Sequence, residues 1–461
     1  AEDVVSSLRH CLEQGGRIFL CGCGATGRLA LVLESIWRET RSPHFDSERI
    51  IAFTAGGDYA LVRSLGIFED QPKLGAQHLL DLGFKNGDLL VAITEGGETP
   101  FVLGALEQAT KTSAMKSWLF FCNPSDVLKE LVQRSREAIE NPGVLAHSLE
   151  VEPMALTGST RLQASSVLMA FVGACLQEVS TKKKYAWIVS EILDGIDHLQ
   201  ADLLRPLIEA ESAVHQASGY TLHQSQTAAI AVLTDTTERA PTFSLVPFEN
   251  SAEQESPQLS RTYLEIPDAQ NSEAAWSALL KRRPRPFQVR NGFQAPAIDE
   301  AALLGFDFSR GVYERRLSSG AETDLTLRVE FVQNEIHFDI LPATHPEERF
   351  ELIFPSSADL LVRQCLLKYV LNLQSTLMMG RIGRFHGNLM TYVRPTNNKL
   401  IDRTLRTLRI LAAQSPDTHL RSLARTPDDE VFLNALFVAS LSISSDEAVA
   451  LKALDLLSQT R

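Results

Sequence analysis

Residues 20–28 read Leu-Cys-Gly-Cys-Gly-Ala-Thr-Gly-Arg and complete an apolar run that begins at Arg17. A helix-compatible run over residues 29–34 comes next, so the stretch predicts a strand that turns on glycines into a helix. Such a turn presents free backbone N–H groups at the positive end of a helix dipole, and both features attract an anion. The stretch therefore predicts an α/β unit with an anion-binding turn.

Two further segments in the same part of the chain repeat this pattern. Residues 94–100 read Thr-Glu-Gly-Gly-Glu-Thr-Pro, in which Thr99 suits a helix N-cap and Pro100 the first helical position. Residues 157–161, Thr-Gly-Ser-Thr-Arg, open a helix predicted over residues 162–176, and their hydroxyls and arginine add an anion-facing surface. Three such turns in one domain predict a bound phosphate.

The composition limits the classes of function. A chain of 461 residues is long enough for two or three domains, and its net charge of −13 argues against nucleic-acid binding. It lacks an apolar stretch of ~18 residues and a signal peptide, so we expect no membrane association and a cytoplasmic location. Because the chain opens at Ala1-Glu2-Asp3, we allow for an upstream segment. The basic runs at 182–184 and 281–285 are predicted to be solvated loops or helix ends.

Neither a metal nor a nucleotide cofactor is predicted. The six cysteines are scattered, without CxxC or Cys/His ligand spacing, which fits a reducing compartment. Residues 22–27 match the dinucleotide GxGxxG pattern, but that reading needs an acidic residue at the end of the second strand. Asp46 and Glu48 instead precede that strand, which is predicted at 49–54. We therefore expect no cofactor.

The order of predicted elements indicates three units. Residues 1–184 alternate strands with helices, which predicts a doubly wound parallel α/β sheet with strands at 17–21, 49–54, 88–94 and 117–122. Residues 185–395 form a less regular second unit, with a hairpin signal around Gln333-Asn334-Glu335. Residues 396–461 are rich in leucine and alanine and predict a small helical lid.

An internal comparison indicates a repeat of the α/β unit. Residues 20–45 can be aligned with residues 222–247 with few gaps. The turn of the second copy, residues 224–229, reads Gln-Ser-Gln-Thr-Ala-Ala and has no glycine. The chain is thus predicted to be a pseudo-dimer, compatible with a monomer, in which the first copy alone keeps an anion-binding turn.

Several motifs occur in a family-specific order. They are Gly-Cys-Gly-Ala-Thr-Gly-Arg-Leu at 22–29, Ala-Gly-Gly-Asp-Tyr-Ala at 55–60, Gly-Glu-Thr-Pro at 97–100, Cys-Asn-Pro at 122–124 and Leu-Thr-Gly-Ser-Thr-Arg-Leu at 156–162. The chain resembles the N-acetylmuramic acid 6-phosphate etherases, which are sugar isomerase (SIS) domain proteins. The two-copy layout is similar to that of glucokinase regulatory protein. The resemblance implies two flavodoxin-like SIS domains and a helical lid.

The resemblance also implies a composite site. The first acid/base glutamate of the etherases falls on Ile36 in the first copy, but on Glu238 in the second. Their second glutamate matches Glu69, and Lys368 lies in a matching distal motif. Glu238 and Glu69 are thus the catalytic candidates. The ligand-binding candidates are Gly24, Ala25, Thr26, Gly96, Gly97, Thr99, Ser159, Thr160, Arg161, Glu238 and Lys368.

Three functions remain open for this site. In the etherase reading, Glu238 takes the C2 proton of a 6-phosphosugar and Glu69 assists departure of lactate. In the regulator reading, the same residues hold a phosphorylated sugar without turnover, and the implied partner is a sugar kinase. The family's Ser, Arg and Lys are replaced here by Gly96, Glu98 and Gln163, which favours the regulator. A phosphosugar isomerase ranks third.

Overall fold

Two five-stranded β-sheets organise the chain in the computed structural model. The structure describes residues 1–253, 258–290, 293–344, 346–427, 429–443 and 447–459. The first sheet is parallel throughout, in the order β2-β1-β3-β4-β5, which is the flavodoxin-like order. Its strands are β1 (Ile18–Gly22), β2 (Ile50–Thr54), β3 (Leu89–Ile93), β4 (Ser117–Phe121) and β5 (Val144–Ser148).

The sequence pattern predicts the first four strands because every residue in them is buried. A parallel sheet covered by helices on both faces produces continuous apolar runs of this kind. The helices around it are α1 (Glu2–Glu13), α2 (Ala25–Thr40), α3 (Pro72–Asp81), α4 (Pro100–Thr112), α5 (Ser125–Leu131), α6 (Gln133–Ile139) and α7 (Gln163–Thr181), with short 3₁₀ turns at Ser47–Arg49, Gly57–Leu61 and Gly66–Phe68.

Helix α7 is long and apolar enough to cross a membrane, judged by length and composition alone. In the structure, 67% of its most apolar window is buried inside the protein. It packs against α1, α2 and α14 (Leu360–Arg381). The apolar character of α7 therefore serves the packing of the protein interior.

The second sheet has the order β10-β9-β8-β6-β7 and is mixed. Its central strands are parallel and repeat the arrangement of β2, β1 and β3, as the internal repeat predicts. The predicted hairpin around Gln333 is confirmed, and it adds antiparallel strands, so this sheet is not parallel throughout. The strands are β6 (Tyr220–Gln224), β7 (Thr262–Glu265), β8 (Thr323–Val332), β9 (Glu335–Pro342) and β10 (Phe350–Pro355).

The remaining helices join the two sheets and form the C-terminal segment. Asn271 caps its helix, since its side chain accepts a hydrogen bond from Ala274 N at 2.9 Å. The helices are α8 (Tyr185–Asp197), α9 (Arg205–Gln216), α10 (Ala229–Phe243), α11 (Ser272–Leu280), α12 (Glu300–Leu304), α13 (Val312–Ser318), α14, α15 (Asn398–Gln414), α16 (Thr418–Leu423), α17 (Glu430–Ser442) and α18 (Val449–Gln459), with 3₁₀ turns at Ala201–Leu204 and Pro346–Glu348.

The two halves face each other through helices near their anion-turn positions. Helix α14 lies against α7 of the first half and against α9 and α10 of the second, while α10 also contacts α2. Because α2 and α10 each follow the first strand of their sheet, this packing brings the two equivalent turns to one interface. A site shared between the copies is thereby possible.

The basic run at 281–285 corrects one prediction. Arg282 is buried and bridges Glu34 Oε2 at 3.0 Å and Asp58 Oδ2 at 2.5 Å, and Arg285 reaches Glu34 Oε1 at 2.8 Å. Burial alone would raise the pKa of Asp58, but Arg282 and Arg285 together outweigh it and lower the pKa below its usual range. The run begins at the C-terminal end of α11, as predicted, but Arg282 and Arg285 form an ion cluster with the first half instead of being solvated. The run at 182–184 ends α7, as predicted.

Candidate functional site

A cleft of about 720 Å³ opens where the two halves and the C-terminal segment meet. Gly24, Ala25 and Arg28 line it from the start of α2, and residues 158–161 line it from the loop before α7. Glu238 enters from α10 of the second half. Arg394 lines it from the loop before α15, and the C-terminal segment contributes Lys399 and Arg403 from α15.

Close packing shapes the turn before α2. Gly24 has φ +57°, a left-handed conformation that glycine adopts without strain. A Cβ on Gly27 would lie 1.9 Å from Thr54 Oγ1, so only glycine lets α2 approach β2 this closely. The first turn of α2 is therefore fixed against the sheet, with its N-terminus directed at the cleft.

Arg161 is anchored from below the cleft. Its side chain is 2% exposed, and its Nη2 donates to Asp235 and, at 2.8 Å, to Ser375 Oγ. Its Nε lies 3.8 Å from Glu238 Oε2. The guanidinium thus links the first-half loop to two helices of the second half.

Asp235 is the centre of a buried polar network. Besides Arg161, its carboxylate accepts hydrogen bonds from Arg239, Asn372 and Ser375. Arg239 in turn donates to Glu211 Oε1 at 2.5 Å. Burial would raise the pKa of Asp235, but Arg161 and Arg239 outweigh it and lower that pKa. The network fixes the position of Arg161 relative to helices α10 and α14 beneath the cleft.

Glu238 lies one turn of α10 beyond Asp235 and is 6% exposed. Its carboxylate faces Arg161 and lines the same cleft as Ser159 and Thr160. The helix contains Pro241, which also lines the cleft. The face-to-face packing of the halves thus brings a second-half carboxylate beside first-half turns.

Lys368 lies behind the cleft rather than in it. Its Nζ donates to Arg161 O at 2.7 Å, Ser166 Oγ at 2.8 Å and Asn372 Oδ1 at 2.9 Å. Burial lowers its pKa to about 8, although Glu238 opposes this shift. All three N–H bonds of the ammonium are used within the protein, so Lys368 supports the Arg161 loop.

Glu69 meets the C-terminal segment. Its Oε1 pairs with Lys399 Nζ at 2.9 Å, and both residues line the cleft. Asn397 caps α15 by accepting from Leu400 N at 2.9 Å, which directs the first turn of this helix toward Glu69. Arg403, one turn later, lies over Gly158, where a Cβ would be only 2.5 Å from Arg403 Nε. The C-terminal segment thus lines one side of the cleft with the cationic side chains of Lys399 and Arg403.

The turn at residues 94–99 lies outside the cleft lining. Thr99 Oγ1 is 2.9 Å from Thr94 Oγ1, and Gly97 O accepts from Ser135 Oγ at 2.9 Å. Gly96 O accepts from Asn123. Glu98 turns away toward Arg134 Nη2, at 3.1 Å. The predicted residues Gly96, Gly97 and Thr99 are thus not among the residues that line this cleft.

Thr26 is also absent from the cleft lining, although it belongs to the first turn. Its hydroxyl accepts from Cys23 N at 3.0 Å and lies 2.9 Å from Cys23 O, which closes the turn locally. Gly24 and Ala25 remain at the cleft surface. Among the described residues, no group of three or more His, Cys, Asp or Glu side chains is suited to a metal ion.

Comparisons with known proteins agree with this architecture. Residues 1–110 match the model for the glucokinase regulatory protein N-terminal SIS domain. The N-acetylmuramic acid 6-phosphate etherase of Aliivibrio fischeri is 33% identical over 164 residues, which cover 36% of this chain and 50% of that enzyme. The etherase of Vibrio campbellii is 28% identical over 237 residues, covering 50% and 72%. The chain is therefore similar to SIS-domain proteins of both groups.

The extent of these matches is limited. The chain spans about half the length of the Aliivibrio etherase that it matches. Among solved structures, the C-terminal domain of glucosamine-fructose-6-phosphate aminotransferase from Francisella tularensis is 12% identical, covering 82% of this chain and 94% of that one with a TM-score of 0.36. Its sequence identity and TM-score are both low.

In the second SIS copy, an internal carboxylate fills the position equivalent to the anion turn. Glu330 on β8 accepts from Gln226 N at 2.7 Å, from Thr227 N at 2.8 Å and from Thr227 Oγ1 at 2.5 Å. These are the N–H groups that a bound anion would use before α10. The second SIS turn is therefore occupied by the protein itself.

Replacing Glu330 with alanine is expected to cost about 1 kcal/mol in the free energy of unfolding, as when a helix loses its N-cap. The vacated N–H groups should also make the variant gain more stability from added sulfate than the parent does. Urea unfolding with and without sulfate checks both effects, with Glu322→Ala, an exposed residue on the same segment, as control. An equal sulfate response in variant and parent would contradict this role of Glu330.

Several cleft residues were not among the sequence-based candidates. Arg28 follows the GxGxxG turn directly, and Lys399 and Arg403 stand four residues apart on α15. An i, i+4 pair of cations after a helix cap is a recognisable signal for one shared helix face. The orientation of this helix face toward Glu69 depends on tertiary packing, which the local sequence pattern does not specify.

Proposed function

We propose that the cleft binds one sugar phosphate per chain and that the protein works as a phosphosugar sensor. The observation that carries this is the charge of the cleft, which is opposite in sign to that of the whole chain. Among the residues that the structure describes, six cationic side chains line it against three carboxylates, in a chain of net charge −13. Local positive potential of this kind concentrates an anionic ligand.

The ligand position follows from the arrangement of the walls. Residues 158–161 and the N-terminus of α2 supply hydroxyls, N–H groups and Arg161 for a phosphate. Glu238, which enters from α10 beside Arg161, is suited to accept hydrogen bonds from sugar hydroxyls. We propose that the units 1–184, 185–395 and 396–461 each contribute to this one site.

Glu69 is already hydrogen-bonded to a cation and Glu238 lies 3.8 Å from one, which favours binding without turnover. Glu69 pairs with Lys399, and Glu238 lies beside Arg161. A general base has to be free to receive the substrate's proton. In addition, Gln163, which stands where the etherases have lysine, is held by Ala155 N at 2.6 Å outside the cleft.

A lactyl-ether lyase is the second candidate function. One observation favours it, namely that Glu238 and Glu69 line the same cleft from opposite halves, as a base and an acid helper would. A phosphosugar isomerase, which also needs a carboxylate base, is the third. For the sensor, the regulator-like layout suggests a sugar kinase as partner, and the free cysteines suit a cytoplasmic location.

Calorimetry with N-acetylmuramic acid 6-phosphate, a ketohexose 6-phosphate and their unphosphorylated sugars tests the proposal. We expect one site per chain for at least one phosphosugar, at least about tenfold weaker binding of its unphosphorylated form, and no lactate release. Glu98→Gln, outside the cleft, serves as a neutral control. Two equivalent sites per chain, or equal affinity for the unphosphorylated sugars, would contradict the sensor site. Steady lactate release would support the lyase instead.

A further inference from the structure

A small void lies behind the sugar cleft. It offers about 20 Å³ to a water molecule, and Ala25, Arg28 and Glu238 line both it and the cleft. A buried site needs roughly 10–15 Å³ on this measure to hold one water molecule. The void is therefore large enough for a single water and too small for a phosphate or a sugar.

Three buried polar atoms at this void have no hydrogen-bond partner among the residues that the structure describes. They are Arg28 Nε, Arg28 Nη2 and Gln364 Oε1. Arg28 is 3% exposed and Gln364 is 2% exposed, so bulk water does not satisfy them. Buried polar groups without a protein partner are usually satisfied by ordered water.

The neighbouring polar groups are already in use. Lys368 donates all three of its N–H bonds to protein atoms, and Asn372 accepts from Lys368 and donates to Asp235. Thr234 donates to Ala231 O. The rest of the wall is apolar, formed by Leu29, Val32, Met169 and Ala231.

We propose that this void is a binding site for one structural water molecule. The water accepts hydrogen bonds from Arg28 Nε and Nη2 and donates one to Gln364 Oε1 and one to the Glu238 carboxylate. This assignment gives the water four partners, within the usual range for buried water, and leaves none of the three atoms unpaired. It joins α2 of the first SIS copy to α10 and α14 of the second.

The water would make Arg28 and Gln364 positioning residues for the cleft. Glu238 lies 3.8 Å from Arg161 Nε on one side and is hydrogen-bonded to the water on the other, so the water sets the orientation of its carboxylate before a ligand arrives. A wall that is ordered in advance lowers the entropic cost of binding. The water site itself does not depend on the proposed function, because it exists without ligand.

A crystal structure of the unliganded protein and oxygen-17 relaxation dispersion in solution test the proposal. We expect one ordered water in the void of the parent and one long-lived water fewer in Gln364→Met, which keeps side-chain length but removes the acceptor. Met169→Leu changes only the apolar wall and should keep the water. If the sensor site is real, Gln364→Met should also weaken phosphosugar binding by about tenfold, as for one lost hydrogen bond.

An empty void in the parent, or a direct hydrogen bond between Gln364 and Arg28, would overturn the proposal. Retention of the water in Gln364→Met would overturn the role of Gln364 as its acceptor. The parent structure decides the question even if the variant fails to fold. Because the water is detected in the unliganded protein, failure of phosphosugar binding would leave this result unaffected.

Discussion

Replacing Asp235 with asparagine is expected to lower the free energy of unfolding by about 3–5 kcal/mol, the cost of breaking a buried ion pair on one side. The substitution keeps the shape of the side chain but leaves Arg161 without its carboxylate and removes one of the two carboxylates that bind Arg239. Urea unfolding measures the change. Glu107→Gln, which breaks the exposed pair with Lys111, should cost about 0.5 kcal/mol or less.

The pH dependence gives a second readout for the same variant. The pKa of Asp235 is held below its usual range, so its contribution is complete above the unfolded-state pKa and is lost as pH falls through the folded-state pKa. The stability gap between parent and Asp235→Asn should thus be constant near neutrality and narrow below about pH 4. A variant as stable as the parent at pH 7 would show that the network around Asp235 does not stabilise the residues beneath the cleft.

The first sheet could be predicted from sequence because its central strands are buried on both faces. Continuous apolar runs between glycine turns marked β1 to β4 with their bounds correct to about one residue. Strand β5, at Val144–Ser148, was not predicted, because it lies at the sheet edge and is only partly buried. Its mixed polarity carries no strand signal of its own.

Site residues could be predicted where their chemical type suggests ligand binding. They could not be predicted where their role depends on which neighbour a turn or helix faces. Ser159, Arg161 and Glu238 do meet in one cleft. The turn at 94–99 has the same local pattern as the others, yet a helix start does not specify which neighbour it faces. The basic run at 281–285 was predicted to be solvated because its partners, Glu34 and Asp58, lie more than two hundred residues away in sequence.

Glu238→Gln should separate sensor from lyase, because glutamine keeps the shape and one acceptor oxygen while removing the charge. If Glu238 holds a sugar hydroxyl, its loss should cost about 1.5–3 kcal/mol of binding free energy, or roughly tenfold to a hundredfold in affinity. If it is a general base, the rate should fall by about 10²–10⁴ with affinity nearly kept. We expect the first outcome, measured by calorimetry and a lactate assay.

A second cleft carboxylate provides a matched control for the Glu238 substitution. Glu253 also lines the cleft but pairs with Arg63 at its more exposed edge, so Glu253→Gln should change affinity far less. The expectation of little turnover in the parent rests on the cations that lie beside both candidate carboxylates. Parent turnover near one per second on N-acetylmuramic acid 6-phosphate, in the usual enzymatic range, and abolished in Glu238→Gln at unchanged affinity, would make the protein a lyase. In that case, the pairing of Glu69 with Lys399 would have to open during each catalytic cycle to release the acid helper.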